Sequence, residues 1–141
     1  MWKKGFWIGT ASGLALGFYM WIIESLTEIK IYTLLMNVDF IPVIGDIDWP
    51  VFIEWLFHMI ISWGIGIFYC FLLRNRQTNT VRLQWMAAYV LSAIAASTYF
   101  PLTILAIKET PSVTNIAAIS FWLAGHILYA TILKASYSIK R

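Results

Sequence analysis

Four long apolar segments limit the folds open to this 141-residue chain. They cover residues 5–29, 51–73, 83–107 and 116–135 approximately. Each has about 20 residues or more, which is enough to cross about 30 Å of hydrocarbon as an α-helix. The sequence therefore predicts an all-α, polytopic membrane protein with four transmembrane helices in a bundle. Its length predicts that residues 1–141 form a single domain.

The composition supports the same class of protein. Hydrophobic residues make up 60% of the chain, aromatic residues 17% and charged residues only 12%. A soluble domain carries about 25% charged residues, so the charges here are too few to cover a water-exposed surface. We expect the lipid bilayer to be the main partner. The single cysteine, Cys70, excludes an internal disulfide, and no Cys/His spacing is typical of a zinc site.

The charged residues divide between the two ends of the predicted bundle. Eight of the ten basic residues lie at one end: Lys3, Lys4, Arg74, Arg76, Arg82, Lys134, Lys140 and Arg141. The acidic residues lie at or near the other end: Glu24, Glu28, Asp39, Asp46, Asp48, Glu54 and Glu109. The positive-inside rule then predicts that both termini are cytoplasmic. Topology and anionic lipid explain the basic residues, so no nucleic-acid partner is expected.

The first segment carries a row of glycines at every fourth position, Gly5, Gly9, Gly13 and Gly17. Small residues at this spacing allow two helix backbones to approach closely. The row predicts either helix packing within the chain or a glycine zipper at the interface of a homo-oligomer.

Two further residues are predicted to shape the helix packing. Pro101 cannot donate a hydrogen bond to the carbonyl of Ser97, and this predicts a kink in the third span. Gly125 would let a neighbouring helix or a ligand approach His126 closely.

The candidate functional residues are ionisable or polar groups inside the apolar segments. Glu54, His58 and Ser62 follow one another at four-residue intervals and share one helix face. At ~1.5 Å per residue, His58 lies ~10 Å and His126 ~15 Å below the acidic end, and Glu24 lies nearer that end. Ionisable groups in hydrocarbon usually face a protein interior and mark functional sites.

Three interpretations of these residues remain open. A chain of histidine and glutamate in a bundle is suited to sensing or relaying protons. His58 and His126 on facing helices are instead the candidate ligands of a metal ion or haem iron. Each histidine can also simply hydrogen-bond a neighbouring helix. Nucleophilic catalysis is poorly supported, so we expect a non-enzymatic protein, and the sequence identifies no substrate or small-molecule ligand.

An ordered set of short motifs resembles the YagU-like family of small bacterial inner-membrane proteins. The motifs are HMIIS at 58–62, Tyr69-Cys70, Phe100-Pro101-Leu102 and Gly125-His126, together with the glycine-rich first span and Glu24. The resemblance implies a multi-pass protein of the bacterial cytoplasmic membrane, of unknown biochemical activity, in a family associated with acid resistance.

Two features depart from that family's pattern. The loop at 30–50 is shorter than its counterpart, and Trp122 occupies a position four residues before His126 where the family tends to carry an acidic residue. Glu24 and Glu54 are therefore the remaining acidic candidates. The preferred hypothesis is an acid-responsive membrane protein in which Glu54 and His58 form a protonation-sensitive pair. His126 is then a second titrating group, and Glu24 adjusts their charge.

Overall fold

The computed structural model describes residues 1–45, 47–74 and 79–138, and every regular element within these ranges is a helix. The elements are α1 (Trp2–Thr27), α2 (Ile31–Met36), α3 (Val51–Leu72), α4 (Val81–Ser97), α5 (Tyr99–Leu105) and α6 (Ile116–Ser138). The all-α prediction is confirmed. Arg76, Lys140, Arg141 and Asp46, used above to predict orientation, lie outside the described residues.

Four helical stretches are long and apolar enough to cross a membrane. They are Trp2–Thr27, Val51–Leu72, Val81–Leu105 and Ile116–Ser138, within a few residues of the predicted spans. Large apolar side chains remain exposed on their outer faces; Ile61 is 65% exposed, Ile94 63% and Ile127 56%. Such surfaces match acyl chains and not water. The chain is a multi-pass integral membrane protein.

The four spans form an antiparallel bundle with α1 at its centre. Helix α1 packs against α3 on one side and α6 on the other, and α4 packs mainly against α6. Gly5 of α1 lies against Ile67 near the end of α3, whereas Gly17 lies against Trp55 near its start. The bundle therefore has a basic end, where α1 and α4 begin, and an acidic end, where α3 and α6 begin.

The glycine row brings α1 and α3 into backbone contact within the chain. All four glycines are buried. A Cβ atom added at Gly9 would lie 2.5 Å from the carbonyl oxygen of Ser62, and one at Gly13 would lie 2.7 Å from the Ser62 hydroxyl oxygen. At Gly17 the added atom would meet the Trp55 ring. The glycine row of α1 therefore packs against α3 of the same chain, which is the first of the two predicted arrangements.

The third span is interrupted at Thr98, between α4 and α5. The Thr98 amide and hydroxyl both donate to the carbonyl of Ala95, at 3.2 and 2.6 Å. The helix resumes at Tyr99. Pro101, which has no N–H for the carbonyl of Ser97, follows three residues after the interruption. The break lies where the proline predicted a kink.

The segment at 30–50, interpreted above only as a connection, contains the short helix α2. Helix α1 ends at Thr27, and the left-handed backbone of the next residue, Glu28 (φ 63°), turns the chain back over the bundle. The Glu24 carboxylate then accepts hydrogen bonds from the amide and hydroxyl of Thr33, at 2.8 and 2.7 Å. Three apolar side chains of α2 are buried: Ile31, Leu34 and Met36. The acidic end of the bundle is therefore covered.

Candidate functional site

Four buried polar side chains of α3 and α6 lie in the interior of the bundle, and we call them the histidine layer. They are His58 and Ser62 on α3, and His126 and Tyr129 on α6, with exposed fractions of 8%, 2%, 5% and 2%. Residues three or four positions apart share a helix face, so each helix presents one histidine and one hydroxyl. Both histidines thus face protein and not lipid.

The two imidazoles lie at similar heights in the bundle. His58 contacts Gly13 of α1, while Gly125, next to His126, lies against Leu16, Tyr19 and Met20 of the same helix. At ~1.5 Å per residue, the two rings are separated by about one helical turn along the bundle axis.

His58 reaches across to the backbone of α1. Its Nε2 lies 3.0 Å from the carbonyl oxygen of Gly13. A carbonyl only accepts, so Nε2 carries the proton and Nδ1 holds the lone pair of the neutral ring. The imidazole also packs nearly perpendicular to the Trp55 ring, with centroids 6.0 Å apart and planes at 85°. The glycine at position 13 allows this bond, because it leaves the carbonyl uncovered at the close helix contact.

His126 is held by its own helix and by α4. Its Nδ1 donates to the carbonyl of Trp122 at 2.9 Å, and the centroids of the imidazole and the Trp122 ring lie 4.9 Å apart. Nδ1 therefore carries the proton and Nε2 the lone pair. From α4, the Ser92 hydroxyl donates to the His126 carbonyl, and the Trp122 indole donates to the carbonyl of Ala96 at 2.9 Å. These bonds fix α6 against α4 at the level of the imidazole.

Two hydroxyl groups join three helices next to the imidazoles. The Ser62 hydroxyl donates to the carbonyl of Gly9 at 2.8 Å. Because that uses the only proton of Ser62, the Tyr129 hydroxyl is the donor in the 3.0 Å bond between the two side chains. Tyr129 was not identified from the sequence, although its position three residues after His126 places both on one face.

The predicted carboxylates lie in a separate group at the acidic end, which we call the polar cap: Glu24, Thr33, Asp39, Glu54 and Lys108. Glu24 binds Thr33, as described above. Glu54 forms a 3.0 Å ion pair with Lys108, and Asp39 accepts from the amides of Ile107 and Lys108, at 2.9 and 2.6 Å. Within the described ranges, no carboxylate lies within 4.0 Å of either imidazole.

Tyr32 and Trp55 lie between the polar cap and His58. The Trp55 indole donates to the Tyr32 hydroxyl at 2.8 Å, while its ring packs nearly perpendicular to the His58 imidazole. Burial raises the pKa of Tyr32, the hydrogen bond from Trp55 opposes this, and the charges of Glu54 and Glu24 raise the pKa further. The phenol is therefore neutral at physiological pH and separates the carboxylates from the imidazole.

The two histidines are the candidate ligands for a metal ion. Among the residues that the structure describes, no three His, Cys, Asp or Glu side chains are grouped so that they could hold a metal ion. The ring nitrogens available for ligation are Nδ1 of His58 and Nε2 of His126, because the other nitrogen of each ring faces a carbonyl.

Comparisons of this chain with protein-family models, with curated proteins and with solved structures found no match. The function is therefore inferred from the geometry of the histidine layer and from the sequence motifs.

Proposed function

We propose that this protein is a non-enzymatic protein of the bacterial inner membrane that responds to acid through the histidine layer. One observation carries the proposal: two buried imidazoles lie at similar heights, each with a backbone carbonyl as its partner. In the described part of the chain neither has a carboxylate within 4.0 Å. Such a layer accommodates two neutral rings and offers no counter-ion for charged ones.

Protonation of either ring places a cation in the interior of a transmembrane bundle. A charged side chain at membrane depth costs several kcal/mol unless it gains water or a counter-ion. Protonation of both rings adds mutual repulsion, which is strong where the effective dielectric constant is low. The groups in contact with the imidazoles are the carbonyls of Gly13 and Trp122 and the indole rings of Trp55 and Trp122, and none of these carries a charge that would offset these costs.

The contact between α1 and α6 is the place where the bundle is best able to relax. Around Gly125 this contact is made by side-chain atoms of Leu16, Tyr19 and Met20. At Gly5 and Gly9 the contact between α1 and α3 is made instead by backbone atoms. We therefore expect acid to open the α1–α6 side and admit water to the imidazoles, while α1 and α3 stay together.

Two features of the sequence support this proposal. The motifs that resemble the YagU-like family point to an association with acid resistance. The basic residues at one end favour cytoplasmic termini by the positive-inside rule. In that orientation the layer lies nearer the outer surface, where an external acid shift arrives first.

The proposal is tested with a double variant, His58→Gln and His126→Asn, in lipid nanodiscs. The two amides replace the donor nitrogens, Nε2 and Nδ1, without a group that titrates. The indoles of Trp55 and Trp122 contact the imidazoles, so tryptophan emission reports on the layer. Between roughly pH 7.5 and roughly pH 4.5, the tryptophan emission of the parent should change reversibly, and that of the double variant should change little.

The matched control is Glu24→Gln with Glu54→Gln, which removes two of the three carboxylates of the polar cap and should keep the response. If the histidine double variant responds to acid as the parent does, the proposed role of the layer is wrong. An absorption spectrum of the same purified protein tests the rival role of these histidines as haem ligands. A Soret band that disappears in the double variant would favour that role.

A further inference from the structure

A cationic cavity opens at the basic end, away from the histidine layer. Its volume is about 340 Å³, and its lining includes Lys4, Arg74, Asn79 and Tyr137. Lys4 is held in place, because its ammonium donates to the Tyr137 carbonyl at 2.6 Å and lies 4.1 Å from the centre of the Tyr137 ring. Asn79 donates to the Tyr137 hydroxyl at 2.8 Å. The cavity is therefore a built pocket with a fixed cation.

Among the described residues, no carboxylate pairs with the positive charge of this cavity. The ion pair found in this part of the chain joins Lys108 to Glu54 at the acidic end. The Arg74 guanidinium lies over the Phe71 ring, 4.3 Å from its centre. Lys4 and Arg74 are thus available to an external anion.

An apolar groove adjoins the cavity. It has a volume of about 370 Å³ and is lined by residues that include Trp2, Gly64, Phe68 and Phe71. Met1 lines both spaces. Phe71, part of the groove wall, carries the Arg74 guanidinium on its ring face. A charged space and an apolar space therefore share a wall on the surface of α1 and α3.

We infer that this paired site binds an anionic phospholipid of the surrounding bilayer. Its phosphate would occupy the cavity beside Lys4 and Arg74, and part of an acyl chain would lie in the groove. Basic pockets between transmembrane helices at the cytoplasmic side favour anionic headgroups. The adjoining groove favours a lipid over a free phosphate, since only a lipid joins the charged and apolar parts. The inference is independent of the acid response proposed above.

Native mass spectrometry of the full chain in detergent tests this site, with phosphatidylglycerol, phosphatidylcholine and inorganic phosphate as probes. Phosphatidylglycerol should be retained about thirtyfold more tightly than phosphatidylcholine. This corresponds to about 2 kcal/mol at 1.4 kcal/mol per tenfold, as expected for two cations near the membrane surface. Inorganic phosphate should not be retained at a comparable concentration.

Two pairs of variants test the binding of the lipid headgroup and the binding of the acyl chain separately. Lys4→Gln with Arg74→Gln should lose most of the preference for phosphatidylglycerol. Lys3→Gln with Arg82→Gln removes equal charge from residues outside the cavity and should keep the preference within about twofold. An added Cβ at Gly64 meets nothing within 4 Å. Gly64→Leu should therefore fill the groove and weaken the binding of both lipids, whereas Gly64→Ala should leave the binding unchanged.

Several results would overturn the inference. One is equal retention of the two lipids by the parent protein, and another is retention of inorganic phosphate as tightly as of phosphatidylglycerol. A third is an equal loss in the Lys3/Arg82 control pair, which would indicate only diffuse attraction to the basic end. Because Lys4 also bonds to Tyr137, Arg74→Gln alone serves as a second variant and should lower the preference on its own. An unchanged preference in Arg74→Gln would contradict the site.

Discussion

The polar cap and the histidine layer treat ionisable groups in opposite ways. In the cap, the carboxylates of Glu24, Asp39 and Glu54 each accept from donors: Thr33, two backbone amides and Lys108. In the layer, both imidazoles face backbone carbonyls instead. The cap is thus suited to charged groups and the layer to neutral ones. The difference indicates where a change in protonation has the larger effect on packing.

A proton adds one positive charge in either region, but the consequences differ. At the cap it removes a negative charge near the membrane surface and weakens bonds to α2 and Lys108. In the layer it adds a positive charge inside the bundle, where several helices meet. We expect protonation of the polar cap to loosen the acidic end of the bundle, and protonation of the histidine layer to change how the helices pack.

The largest expected effect comes from breaking the helix contact that positions His58 and Ser62. A Cβ at Gly9 would meet backbone atoms of α3, at 2.5 Å from the Ser62 carbonyl oxygen and 2.8 Å from the Trp63 Cα. Since backbones cannot yield as side-chain ends do, Gly9→Ala should lower the free energy of unfolding by about 1–3 kcal/mol, as measured by unfolding in detergent. It should also weaken the acid response.

Gly64→Ala is the matched control for this substitution, because the same change on α3 meets open space. It should be close to neutral, helped by the higher helix propensity of alanine. Equal stability of the two variants would contradict the close approach of α1 and α3.

An intermediate effect is expected from breaking the cap at Glu24. Glu24→Ala leaves the amide and hydroxyl of Thr33 without their acceptor, which costs about 1 kcal/mol, the lower end for an unsatisfied group, because the site is only partly buried. Hydrogen exchange should rise in α2, whereas the acid-dependent tryptophan emission should persist. Loss of the emission change in this variant would mean that Glu24 acts together with the histidines and that the two regions are not separate.

The smallest effect is expected at the ion pair of the cap. The Lys108 side chain is 47% exposed and the Glu54 side chain 15% exposed. Exposed pairs of this kind contribute about 0–1 kcal/mol, so Glu54→Gln should change the thermal unfolding midpoint little and should leave the acid response intact. Abolition of the response would support the predicted Glu54–His58 pair and contradict the separation of the polar cap from the histidine layer.

The sequence identified the spans because hydropathy depends on composition over a whole helix. It did not identify α2, a six-residue helix whose burial depends on the assembled bundle and on Glu24, nine residues before Thr33. Such a short apolar stretch, followed by the Pro- and Gly-containing segment at 37–50, has no helical signal of its own.

The predicted pairing of Glu54 with His58 shows where spacing is insufficient. An interval of four residues places both on one face, but it does not decide which partner each side chain selects. Glu54 lies a turn nearer the acidic end and binds Lys108, which is 54 positions later in the chain. The acceptors of the two histidines are backbone carbonyls, which no residue type reveals, so the carbonyls of Gly13 and Trp122 were beyond sequence reasoning.

The most direct test follows the protonation of the two imidazoles and the packing of the bundle in one sample. Nitrogen NMR of ¹⁵N-histidine-labelled protein in nanodiscs, titrated with acid, reports the charge of His58 and His126, and tryptophan emission reports the packing around Trp55 and Trp122. We predict that both signals change together and reverse together. Imidazoles that become charged while the packing stays the same, or packing that changes while both rings stay neutral, would contradict the acid-responsive role of the layer.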